Sequence, residues 1–323
     1  MKTRKLGSNG PEVSVIGMGA WEAGGMWGAN PPDEQILRAY DAGFDVGITW
    51  IDTAEVYGPH RSEELVGQAL RHRDAVLVST KLAPSPFGSG YDPDGIRAGA
   101  EGSLRRLGRE VIDLYFLHTW VPGIDIEATW GAMAQLVDDG LVRFIGVSNF
   151  DREQVEVFHR LRPVDVIQPG FSMLYQPFRD LIAWSGEQGI GVISYGPLAF
   201  GLLSGSITAG TRFPPDDWRS GNTDIPVVLA LYNALFAPDV IRGQVTKVEQ
   251  LREVADGLGS TLAQLALSWA FHQPGVTGAI SGTRSPERAR ENASAGDLEL
   301  SAEVRHKIDR LMGGLRGLTG SEA

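Results

Sequence analysis

Short apolar runs rich in β-branched residues alternate, along most of the chain, with longer segments whose apolar residues recur every three or four positions. The short runs read as strands and the longer ones as amphipathic helices. Strands are predicted at VSVIGMG (13–19), VGITWIDT (46–53), AVLVSTK (75–81), IDLYFLH (112–118), RFIGVSN (143–149), DVIQ (165–168), IGVISYG (190–196) and VTGAISG (276–282). Helices are predicted in segments such as DEQILRAYDAG, RSEELVGQALRHR, IEATWGAMAQLVDDG and REQVEVFHRLR, and several of the intervening segments close on Gly, as helix C-termini often do. Eight strands, each followed by a helix, make an α/β chain with the count of a closed (β/α)8 or TIM barrel. An open doubly wound sheet fits less well. It usually has fewer strands, and GMGAW after the first strand does not complete the G-x-G-x-x-G of its dinucleotide-binding form.

Read as a single barrel domain, 1–323, the chain leaves three segments outside this rhythm. Residues 1–12 are expected to form an N-terminal hairpin turning at Asn9-Gly10. The span 200–243, after strand seven, exceeds an ordinary connection and is expected to be a lid or a binding loop. The tail, 313–323, is expected to fray.

Composition narrows the function classes. Of 323 residues, 42% are hydrophobic and 21% charged, the balance of a globular protein. With 29 basic and 40 acidic side chains the net charge is −11, which disfavours nucleic acid as a partner, so any phosphate ligand needs a local site. The chain has no Cys, which excludes disulfides, thiolate metal sites and thiol catalysis. The N-terminal MKTRKLGSNGPEVSV lacks an apolar signal-peptide stretch, and no window approaches 18 apolar residues; the expectation is a cytoplasmic protein with no membrane partner.

In such a barrel, chemistry sits where the strands end at their C-terminal face. Polar residues fall there: Asp52 and then Tyr57 after strand two, Lys81 after strand three, His118 after strand four, Ser148-Asn149 after strand five, Gln168 after strand six and Tyr195 after strand seven. Each alone has an ordinary structural explanation, such as a cap, a snorkelling lysine or a satisfied core histidine. Their convergence on one rim argues for a site. Metal-dependent hydrolysis is disfavoured, because only His118 of the six histidines stands at a strand end and no ligand cluster accompanies it.

GITWIDTAEVYG, VLVSTK, DLYFLH, IGVSNF, VIQ, YGPLAFGLLSG and ISGTRSPERARENA stand in the order and at the spacings of the aldo-keto reductases. From Val15 to about Leu311 the chain resembles that family, closer to its bacterial and channel β-subunit-like branch than to its aldose reductase branch. The resemblance implies a barrel that binds NADPH/NADP across its rim and reduces aldehydes or ketones to alcohols, reversibly, with Asp52, Tyr57, Lys81 and His118 as the catalytic tetrad. Tyr57 would be the general acid. Its reference pKa is about 10, and a Lys81 ammonium roughly 4 Å away at an effective dielectric of about 20 would favour the phenolate by on the order of 4 kcal/mol, so a lowered phenol pKa is expected. Asp52 would orient Lys81, and His118 would hydrogen-bond the carbonyl oxygen.

For the cofactor, the resemblance places Gly19, Ala20, Trp21 and Asp52 beside it. Ser148, Asn149 and Gln168 would hold the nicotinamide amide, with Tyr195 stacked on the ring. Gly196, Pro197, Leu198, Gly201 and Leu203 would line the pyrophosphate, and Gly282, Thr283, Arg284 and Arg288 would take the 2′-phosphate. Glu291 and Asn292 would contact adenine. Trp21, Trp27, Tyr57, His118 and Trp120 are expected to face a small carbonyl substrate, which the lack of a charged recognition residue suggests is neutral. Two departures stand out: Ser206 follows GLLSG where the family often has Lys or Arg, leaving Arg212 as a candidate substitute, and Thr119 separates His118 from Trp120. A rival reading on the same barrel is a nicotinamide-sensing partner subunit.

Overall fold

The computed structural model describes residues 1–28 and 31–312; the tail expected to fray lies outside the described residues. Two short strands, β1 (Thr3–Lys5) and β2 (Glu12–Ser14), form an antiparallel hairpin. Eight parallel strands then close a barrel: β3 (Ile16–Gly19), β4 (Trp50–Asp52), β5 (Leu77–Leu82), β6 (Ile112–Leu117), β7 (Val142–Ser148), β8 (Val166–Gln168), β9 (Gly191–Ser194) and β10 (Gly278–Gly282). Each pairs with its neighbours in sequence, and β10 closes on β3. This is the (β/α)8 TIM barrel expected from the pattern.

The helices are α1 (Asp33–Asp45), α2 (Arg61–Ala69), α3 (Pro93–Leu107), α4 (Ile126–Asp138), α5 (Arg152–Leu161), α6 (Arg179–Glu187), α7 (Pro226–Leu235), α8 (Ile241–Gly257), α9 (Leu262–Phe271), α10 (Pro286–Ser294) and α11 (Ala302–Leu311). Their starts follow local chemistry. Asp151 and Thr261 each accept from the third helical amide while Gln154 and Gln264 reach back, two complete capping boxes. No described helix is long and apolar enough to cross a membrane.

Alternation along the strands builds two cores. Leu114 and Phe116 point into the barrel with Trp50, Val166, Ile193 and Ile280, and Leu6 and Val13 of the hairpin join this inner cluster. Tyr115 and Leu117, one residue out of phase, face the helices. The hairpin therefore plugs the end of the barrel opposite the strand C-termini.

Three expectations change in detail. The run 13–19 is two strands, because Ser14 ends the hairpin pairing and Ile16 begins pairing with Ala279. The hairpin turn spans residues 6–11, closed by Leu6 N–H donating to the Pro11 carbonyl at 2.9 Å, instead of a two-residue Asn9-Gly10 turn. The span 200–243 is only partly loop. It holds two 3-10 turns, Ala199–Ser204 and Trp218–Ser220, and α7, whose PVVLALYNAL sequence has too few polar positions to show a helical stripe.

Candidate active site

Strand register brings the chemistry together. Gly19, Asp52 and Ser79 lie side by side across β3, β4 and β5, with Lys81 one step further along β5. Asp52 is buried and accepts from Lys81 Nζ at 2.6 Å, from Gln168 Nε2 at 2.8 Å and from Ser79 Oγ. Lys81 is 1% exposed and gives its other protons to the Thr53 carbonyl at 2.7 Å and the Tyr57 hydroxyl at 3.3 Å. The turn bearing Tyr57 ends at Gly58 (φ +67°), where a Cβ would lie 2.6 Å from the Gly24 carbonyl oxygen, so glycine lets the two loops touch and fixes the phenol over the rim. The His118 ring lies 5.7 Å from the Tyr57 ring.

Burial dominates the electrostatics here. It pushes the Tyr57 phenol well above its usual value, and the negative charges of Asp52 and Glu22 push it further. This corrects the expectation of a lowered pKa: Asp52, 2.6 Å from Lys81, cancels most of the field the ammonium would exert on the phenol. The His118 imidazole is pushed down to about 3, first by burial and then by Lys81, so it is neutral at pH 7. Burial lowers Lys81 while Asp52 opposes that shift.

A cavity of about 700 Å3 opens over these groups. Asp52, Tyr57 and His118 lie at its floor, and Lys81 stands behind them. Ser148, Asn149, Gln168 and Tyr195 form one wall as a connected set. Tyr195 donates to Asn149 Oδ1 at 2.7 Å, Asn149 Nδ2 donates to the His118 carbonyl at 2.9 Å, and Ser148 Oγ donates to the Gln168 carbonyl at 2.8 Å. Gly19, Ala20, Trp21, Gly196, Pro197, Leu198 and Gly201 continue the lining toward Gly282, Thr283, Arg284, Arg288 and Asn292. At that end Ser285 caps α10, whose N-terminal amides and two nearby guanidinium groups suit a phosphate. A cavity this large, amide-walled at one end and arginine-bearing at the other, fits a dinucleotide.

Two expected contact residues fall outside the lining. Leu203 is fully buried in the core, its amide donating to the Leu198 carbonyl at 3.1 Å. Glu291 is absent from the lining, and its carbonyl accepts from Ser294 Oγ at 2.7 Å. Arg212, the candidate substitute for a basic residue at Ser206, does not line the cavity either; its guanidinium donates to the neighbouring Gly210 and Thr211 carbonyls. Arg219 lines the cavity instead, bound to Asp217 at 2.6 Å and lying over the Trp27 ring at 5.0 Å.

The expected Trp27 and Trp120 are joined in the enclosure by residues missed in the sequence, among them Phe87, Phe200, Trp218 and Glu22. Trp27 bridges to Asp217, and Trp218 N–H donates to the Met26 carbonyl at 3.1 Å, so the loop after β3 and the long segment after β9 join over the mouth. Phe200, in left-handed backbone (φ +54°), packs edge-on against Trp21 and Trp218, a strained position held by this aromatic cluster. Met26, Trp27, Val56, Phe87, Trp120, Val227 and Leu231 make the outer part apolar. Glu22 is the one acid in AWEAGGMW, a signal that could have drawn attention to it.

Fold and site together define a class: the chain belongs to the aldo/keto reductase family, whose model matches residues 15–312. Among its relatives, aldo-keto reductase YhdN of Bacillus subtilis (strain 168) is 32% identical over 322 residues, spanning 97% of this chain and 94% of its own. The glycerol dehydrogenase AKR11B4 from Gluconobacter oxydans superposes with a TM-score of 0.81 at 30% identity, covering 96% of this chain and 94% of its own. An aldo/keto reductase from Klebsiella pneumoniae, solved in complex with NADP and acetate, superposes with a TM-score of 0.76 at 30% identity, covering 98% and 97%. The family and these relatives are oxidoreductases.

Proposed function

We propose that this protein reduces an aldehyde or ketone to an alcohol with NADPH, Tyr57 donating the proton, and runs the reaction in reverse with NADP. One observation carries the reading: the Tyr57 hydroxyl stands 3.3 Å from an ammonium that is itself 2.6 Å from a buried carboxylate, at the floor of a dinucleotide-sized cavity. The bound cofactor would supply a hydride to the carbonyl carbon. Ser148, Asn149 and Gln168 would hold its carboxamide, Tyr195 its ring, and Arg284 and Arg288 its 2′-phosphate.

The chain's own residues account for the proton. With its pKa raised, Tyr57 keeps its proton at neutral pH and gives it only to a strong base. The alkoxide that develops on hydride arrival is such a base. The phenolate left behind faces Lys81, whose position Asp52 fixes, and the charge is stabilised where it appears. His118, with a pKa of about 3, is protonated in only about one molecule in ten thousand at pH 7, so it serves as a hydrogen-bond donor to the carbonyl oxygen and does not compete as the acid.

The apolar outer cavity supports a neutral substrate. Arg219, the cation on that side, is already paired with Asp217. Tyr57→Phe is expected to leave NADPH binding within about twofold and to lower carbonyl reduction by at least about a hundredfold. Comparable turnover by that variant would refute the donor assignment. Repeated turnover of NADPH with a simple aldehyde separates a reductase from a sensor that stalls with cofactor bound.

A further inference from the structure

Among the described residues, the buried carboxylate oxygens are, with one exception, satisfied. Glu55 accepts from the Ala83 and Ser89 amides and the Ser89 hydroxyl at 2.7–3.0 Å. Glu63 pairs with Arg106 and Thr80, both at 2.6 Å, and Asp217 with Arg219. Glu22 differs. It lies in the 3-10 turn Trp21–Gly24 that follows β3, on the wall of the cavity, and its buried Oε2 has no hydrogen-bond partner among the described residues. The carboxyl rests on Gly282, where any side-chain carbon would overlap it.

The groups facing it come from every neighbouring element. Arg284 follows β10, and Arg219, already holding Asp217, comes from the turn Trp218–Ser220. Tyr40 of α1 and Tyr57 after β4 both feel its negative charge, and Arg61 of α2 opposes that effect at Tyr40. Burial pushes the Glu22 carboxyl up to about 7, against the pull of its own amide and the two arginines. This wall flanks the route from the nicotinamide-holding residues to Arg284 and Arg288, along which the negative phosphates of a dinucleotide must lie.

We infer that Glu22 is a positioning and release residue for the cofactor: its carboxyl, on the cavity wall within the field of Arg219 and Arg284, takes up a proton when the dinucleotide phosphates enter. The inference rests on the dinucleotide reading of the cavity. Above pH 7 the ionised carboxyl opposes the incoming phosphates, and each further pH unit weakens binding by up to about tenfold; below pH 7 the carboxyl is already protonated and affinity is flat.

The test is a tryptophan-fluorescence titration of the full-length protein with NADPH and with NADH between pH 6 and 9, with calorimetry in two buffers of different ionisation heat. NADH carries no 2′-phosphate, so ionisation of that group drops out of its profile. The expected result is uptake approaching one proton per NADH bound at pH 8, an affinity that falls above pH 7, and, for Glu22→Gln, no such uptake and about tenfold tighter binding at pH 8. Binding by the unmodified protein without proton uptake overturns the role of Glu22 and leaves the cofactor reading intact. An identical pH slope in Glu22→Gln does the same. Failure of both dinucleotides to bind at any pH overturns the cofactor reading and this inference with it.

Discussion

Every proton of the Lys81 ammonium has a fixed acceptor: Asp52, the Thr53 carbonyl and the Tyr57 hydroxyl. The grouping of Asp52, Tyr57, Lys81 and His118 was legible in the sequence because all four stand at or just beyond strand ends, which the barrel gathers on one rim. The balance of charge between them was not legible. A lysine beside a tyrosine reads as a device for lowering the phenol pKa, and only the 2.6 Å ion pair with Asp52 and the depth of burial reverse that sign. The reversal makes a prediction at the scale of one residue. Reduction uses the protonated phenol, which is fully populated at neutral pH because its pKa is raised, so kcat for carbonyl reduction should be nearly flat between pH 6 and 8. Alcohol oxidation uses the phenolate as base, whose population rises about tenfold per pH unit below the phenol pKa, so kcat for oxidation should climb across the same interval. Profiles measured at saturating cofactor and substrate check this, and an oxidation rate that falls with rising pH would rule out Tyr57 as the titrating base.

Among the elements, the eight barrel strands were read correctly in number and order, while α7, α11 and the loops that shape the cavity were not. Loop geometry depends on contacts between distant segments, which no local period encodes. Glu55 shows this well. Near Tyr57 in sequence it has no role that the sequence assigns, yet it points to the loop after β5 and holds residues 83 to 89, on which Phe87 reaches the cavity. Arg219 and α7 were hidden for the same reason, since their place over the mouth depends on Trp27 bridging to Asp217. Glu55→Ala should leave the Ala83 amide and both Ser89 donors without an acceptor. A buried unsatisfied group costs about 1–3 kcal/mol, and water reaches the exposed Ser89 but not the buried Ala83 amide, so a loss of about 2 kcal/mol is expected in urea unfolding. With the loop released, KM for the carbonyl should rise more than kcat falls. Glu55→Gln, which keeps an acceptor for the amides, should lose less on both counts; equal losses would show that the charge and not the hydrogen bonds holds the loop.

For the molecule as a whole, a net charge of −11 works against an anionic dinucleotide, so affinity depends on the few cations that the barrel aims inward at one end of the cavity. Arg284 and Arg288 stand where β10 ends and α10 begins, and the amide wall is formed at the ends of β7, β8 and β9, so a ligand holding both ends ties four successive strands together. A ligand that binds only the folded state stabilises it by mass action, by about 2.7 kcal/mol at a hundred times its Kd. A chain larger than 250 residues shifts by less than about 2–4 °C per kcal/mol, which sets the expected rise in Tm with saturating NADPH at roughly 5 °C. NADH at the same concentration lacks the 2′-phosphate and should give a smaller rise. Arg284→Ala should bring the NADPH shift down toward the NADH value, Arg288 keeping part of the difference, and leave the NADH shift nearly unchanged, because only the 2′-phosphate loses a charge-assisted partner. Loss of both shifts together, measured by calorimetry at fixed protein concentration, would place Arg284 on the shared part of the dinucleotide and defeat its assignment to the 2′-phosphate.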